Sequence, residues 1–202
     1  MNVDRRQFFT HLGRGLASSL CDTYEAVRGN FDVAPAHVDA QPPEAQPMRP
    51  WLRPPGALPD DQFRKTCTQC TDCQEACPYQ SIRRLGPEWG ADAGMPAIIP
   101  TESPCYMCAD MPCIKACEPK ALLPLAPEEF RMGVARLNRA SCYVSQDQRC
   151  DYCVVRCPLK GEAIDFGDDG IPNITDDKCT GCGVCSYLCP PNAITVVPLG
   201  IK

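Results

Sequence analysis

Sixteen of the seventeen cysteines fall into four quartets, and no other feature of the 202 residues limits the fold so strongly. The first quartet is Cys67, Cys70, Cys73 and Cys77, and the second is Cys105, Cys108, Cys113 and Cys117. The third is Cys142, Cys150, Cys153 and Cys157, and the fourth is Cys179, Cys182, Cys185 and Cys189. Cys21 alone stands apart. The first and fourth, "CTQCTDCQEACP" and "CTGCGVCSYLCP", share the spacing C-x2-C-x2-C-x3-C-P. The second is widened to C-x2-C-x4-C-x3-C and carries Pro112, and the third is C-x7-C-x2-C-x3-C. All four keep the same three-residue step before the last cysteine.

Three chemistries use cysteine in this density. A disulfide scaffold predicts an even count and irregular spacing in a short secreted chain, whereas this count is odd and the spacing repeats. Structural zinc takes two C-x2-C pairs set well apart, closing one tetrahedral site. Iron–sulfur cubes use the C-x2-C-x2-C-x3-C-P run, which two quartets match residue for residue. Two residues between cysteines let one turning loop offer three thiolates to a cube and aim backbone N–H groups at its sulfurs. The fourth cysteine, a helical turn further on, points away and ligates the other cube of a pair. Quartets must then come in pairs, and four quartets predict four 4Fe–4S clusters.

The rest of the composition agrees with an inorganic centre. Six Phe, six Tyr and two Trp are too few for a large aromatic core, and the formal net charge is −5. There is no long basic run to bind nucleic acid, and no apolar stretch approaches the ~18 residues of a membrane span. Lys115, Lys120, Arg149, Arg156, Lys160 and Lys178 flank the quartets and read individually as solvated surface. Outside the quartets there is no nucleophile with a base and no phosphate cradle. "GRGLAS" lacks the third glycine and the preceding strand of a dinucleotide fingerprint. His11 and His37 lie outside the cluster region.

Each quartet is followed by a small residue and an aliphatic one: Ser81-Ile82, Ala121-Leu122, Ala163-Ile164 and Ala193-Ile194. These read as short strands closing over the cubes, so the chain is a fourfold repeat. "DFGDDGIPNI" reads as a hairpin turn at Asp-Gly, and residues 128–138 as a strand pair around Val134 and Leu137. Residues 1–32 have an apolar stripe at helical spacing (Phe9, Leu12, Leu16, Leu20, Tyr24). Residues 33–59 carry eight prolines and form an extended strap. The cluster domain spans 60–202. "DRRQFFTHLGRGL" is similar to a twin-arginine export signal, but His11 and Arg14 interrupt the apolar region such a signal needs. The favoured reading is a retained amphipathic helix in a cytoplasmic protein that reaches the membrane through a partner. The alternative is periplasmic export.

With the quartets placed, the chain resembles the NapG/MauM group of four-cluster ferredoxin-type proteins, from about Leu52 to Pro198. The resemblance is carried by "RPPGALPDDQF", "PCYMCADMPCIKAC", "LNRASC...QRCDYCVVRCPL" and the closing ferredoxin run. It implies an electron relay between a membrane quinol-oxidising partner and a terminal oxidoreductase, with a nitrate-reductase-like system in view. It also implies that quartet one pairs with four and two with three. Cys189 would then join Cys67, Cys70 and Cys73, and Cys77 would join Cys179, Cys182 and Cys185. Cys157 would join Cys105, Cys108 and Cys113, and Cys117 would join Cys142, Cys150 and Cys153. Spacing alone demands pairing and does not choose the pairs.

The expected fold class is α+β: tandem bacterial-ferredoxin-like repeats in two pseudo-symmetric two-cluster modules, with few regular elements, an N-terminal helix and a Pro-rich strap. The expected function is non-catalytic electron transfer. The alternative is an assembly or maturation factor that holds or donates clusters to a partner oxidoreductase.

Overall fold

The computed structural model describes residues 49–126 and 129–199. The N-terminal helix, the twin-arginine segment, Cys21 and most of the Pro-rich strap lie outside the described residues. The elements are short, because each one does little more than carry a cysteine or close over a cysteine loop.

Helix α1, Asp60–Thr66, is the longest among the described residues, at seven residues. Asp60 and Asp61 in its first turn and Arg64 and Lys65 in its last suit the helix dipole, and Phe63 is fully buried. Each quartet then contributes one single-turn helix that carries its third cysteine. These are α2 (Asp72–Glu75) and α3 (Pro112–Lys115) in the first half. In the second half they are α4 (Tyr152–Val155) and α5 (Val184–Tyr187). Helix α2 packs against α3, and α4 against α5.

Strands follow the quartets as expected, with one exception. β1 (Ile82–Arg84) pairs antiparallel with β2 (Pro96–Ile98), Ile82 opposite Ile98. β4 (Ile164–Phe166) and β5 (Pro172–Ile174) form the hairpin expected at Asp-Gly. β6 (Ile194–Pro198) follows the fourth quartet. After the second quartet, Leu122 makes only an isolated bridge, to Ala57.

The strand pair expected within residues 128–138 is instead a single strand, β3 (Gly133–Leu137). Its partner is β6, from Gly133 opposite Pro198 to Leu137 opposite Ile194. Gly133, Val134 and Ala135 are buried in succession, because β6 pairs along one edge of β3 and the fourth-quartet loop runs along its backbone on the other. Gly181, at φ +70°, makes that cover possible: a Cβ there would lie 2.4 Å from the Gly133 nitrogen.

The two halves repeat one plan. In each, a leading segment pairs with the segment after the second of its two quartets, as Ala57 does with Leu122 and β3 with β6. In each, a hairpin follows the first of the two quartets, β1–β2 or β4–β5. The packed body begins before Asp60, since Trp51 and Leu52 are buried and Leu52 bridges to Ile98.

Among the described residues, the core packs large apolar side chains such as Phe63, Phe130, Leu52, Ile98 and Ile194, and cysteines are interleaved among them. A half-buried charge network ties the front of the body together. Arg64 donates from Nε and Nη2 to the two carboxylate oxygens of Asp92 at 2.9 and 3.0 Å. Arg53 also donates to Asp92 and reaches Asp60 at 2.9 Å. The fork geometry makes this a specific tie between α1 and the loop after β1.

Candidate metal centres

The sixteen quartet cysteines are all free thiols, and they converge as four groups of three plus one. Cys105, Cys108 and Cys113 line a hollow with Cys77 of the first quartet. Cys142, Cys150 and Cys153 line another with Cys189 of the fourth. Cys179, Cys182 and Cys185 line a third with Cys157 of the third. For the remaining group, the thiols close enough to influence Cys73 are Cys67 and Cys70 and, from outside the quartet, Cys117 and then Cys113. Cys67 likewise has Cys70 and Cys117 as its thiol neighbours.

This corrects the pairing that the family resemblance implied. The first quartet exchanges its last cysteine with the second, and the third with the fourth. The reason lies in the connections. The Ala57–Leu122 bridge closes the first half on itself and β3–β6 closes the second, so each half places its own two single-turn helices side by side. The expectation of reciprocal exchange itself fits the geometry. In each quartet the last cysteine sits two residues past the end of the single-turn helix, so that helix points the third and fourth thiols to different groups.

The surroundings suit iron–sulfur cubes. Backbone N–H groups donate to the exchanged sulfurs: Ser81 to Cys77 at 3.4 Å, Leu122 to Cys117 at 3.4 Å and Ala193 to Cys189 at 3.2 Å. A fourth donor, Ala135 of β3, reaches Cys179 at 3.4 Å. The hollows are otherwise walled by apolar groups such as Ile82, Ile98, Ile164 and Ile194. Among the described residues, no group of three or more His, Cys, Asp or Glu closes tightly enough for a single metal ion. Thiols set around a hollow, with N–H donors aimed at sulfur, suit a polynuclear group better than a mononuclear one.

Burial dominates the acidity of several of these thiols. It pushes Cys73 and Cys105 up to about 12 and Cys113 and Cys153 up to about 11. Burial also raises Cys185 and Cys182. These six bare thiols are therefore protonated near neutral pH, and loading with metal must release their protons.

The Ser81 and Ala193 donors were half legible, as the small residues that open the segments after the quartets. Ala135 was not, because it lies 44 residues before the cysteine it serves.

Residues 172–195 match the family model described as a 4Fe-4S binding domain. The methylamine utilization ferredoxin-type protein MauM of Methylorubrum extorquens is 41% identical over 161 residues, covering 73% of this chain and 72% of that one. The MauM of Paracoccus denitrificans is 38% identical, covering 86% of this chain and 81% of its own.

The chain belongs to the NapG/MauM ferredoxin-type family.

Within that family it is also 36% identical to the ferredoxin-type protein NapG of Escherichia coli, over 74% of this chain and 71% of NapG. No helix among the described residues is long and apolar enough to cross a membrane.

Proposed function

We propose that this protein is a non-catalytic electron carrier that holds four 4Fe–4S clusters in two ferredoxin-like modules. The sixteen quartet cysteines would be the ligands, three from one loop and one from its module partner in each case. A bound cluster takes up and passes on one electron at a time. The chain's contribution is to hold the thiols, keep water from the hollows and direct N–H dipoles at the sulfurs. Full cysteine ligation leaves no iron open to a substrate, which favours relay over catalysis. The partners in this reading are a quinol-linked membrane protein and a terminal oxidoreductase, with this protein on the cytoplasmic face and reaching the membrane through the former.

The observation that carries the proposal is the three-plus-one convergence, since a loop that gives three thiols to one site and a fourth to the next is built for paired cubes. Anaerobic redox titration with EPR detection tests it. Stable clusters that are reduced and reoxidised repeatedly without loss of iron support the relay. Iron that leaves readily to an apo-acceptor would favour a cluster-donating assembly factor instead.

A further inference from the structure

We propose that the four cluster sites form a single row in the order first quartet, second, fourth, third, and that the two modules are joined through Cys105 and Cys182. Each site is named here by the quartet supplying three of its thiols. The inference rests on the carrier function above and adds the path through it.

Three observations carry the order. Within each module the two sites share their helices, because Cys113 and Cys117 flank the end of α3 and serve different sites, as Cys153 and Cys157 do at α4. Between modules, the Cys105 N–H donates to the Cys182 carbonyl at 2.9 Å, so a second-quartet ligand is hydrogen-bonded to a fourth-quartet ligand. The Thr180 hydroxyl meets the Met107 sulfur across the same junction at 3.5 Å. Gly183, at φ +90°, permits this approach, since a Cβ there would stand 2.6 Å from Cβ of Pro100.

Exposure points the same way. Every residue from Cys179 to Val184 is buried, so the fourth-quartet site has no face of its own for a partner. Cys70 of the first quartet is exposed, and residues 145–149 of the third-quartet loop are all exposed. Because the second and fourth quartets meet at the Cys105–Cys182 junction, the first and third are the ends of the row, where redox partner proteins would meet it. Along the row, one site loses an electron as its neighbour gains it, and no bond in the chain is made or broken.

The test uses magnetic coupling in the fully reduced full-length protein, where neighbouring paramagnetic clusters broaden one another's EPR signals. Removing the second-quartet cluster with Cys108→Ala should isolate the first. A simple uncoupled signal then appears, lost when Cys70→Ala is added and kept when Cys150→Ala is added. Removing the fourth-quartet cluster with Cys185→Ala should isolate the third, giving a signal that Cys150→Ala abolishes. This second variant decides the matter if the first does not fold. The opposite assignment, or no uncoupled signal in either variant, overturns the order while leaving the carrier reading intact. Absence of clusters in the unaltered protein would overturn the carrier reading itself.

Discussion

The N–H of Ala135 donates to the sulfur of Cys179 across 3.4 Å, linking a strand of the second module to a cysteine 44 residues further along. A donor aimed at a ligand sulfur stabilises the more negative, reduced form of a cluster and so raises its potential. Ala135→Pro removes that hydrogen. The variant should bind as much iron as the unaltered protein, with one cluster shifted to a lower reduction potential in an EPR-monitored titration. An unchanged set of potentials would show that this N–H has no influence on the site.

The exchanged ligands give a counting test of the pairing. Cys70→Ala and Cys117→Ala should each remove about four irons per chain, and the double variant should remove about four, not eight, because both residues serve one cube. Cys70→Ala with Cys189→Ala should remove about eight. The reverse result would restore the pairing of first with fourth that the family resemblance suggested.

That pairing shows where the sequence stops being legible. The three-plus-one grouping of the cysteines and the β4–β5 hairpin follow from local spacing and turn residues, so they can be read a few residues at a time. The choice of partner quartet depends on Ala57 meeting Leu122 and on β3 meeting β6. These are contacts between segments dozens of residues apart, whose side chains carry no mark of their partners. Residues 128–138 misled for the same reason: β3 has the pattern of a strand, but its neighbour is at the other end of the module.

Asp92 provides a pH-dependent element outside the clusters. Burial works to raise its pKa, but hydrogen bonds from Arg64 and Arg53 overcome this and hold it below the usual carboxylate range. Its contribution to stability is therefore complete above that range and is lost as pH falls through the depressed folded value. Asp92→Asn should destabilise the iron-loaded protein by about 2 kcal/mol near neutral pH, as expected for losing hydrogen bonds to a charged group. In anaerobic denaturant titrations the gap between the variant and the unaltered protein should narrow as the medium is made acid. A gap that stays constant with pH would remove Asp92 from the account.

Removal of iron should unfold the chain. The core interleaves cysteines with its apolar side chains, so bound clusters would tie together segments that apolar packing alone holds less firmly. Anaerobic chelation should abolish cooperative unfolding by circular dichroism and speed proteolysis. A compact apo protein that unfolds cooperatively would show that the polypeptide core suffices alone.

Whether these sixteen thiols hold four cubes is read most directly from the iron and acid-labile sulfide content of protein purified without oxygen. About sixteen of each per chain are expected, four for every cube, in a brown protein free of zinc. A colourless product, or one whose cysteines bind zinc and no sulfide, would contradict it.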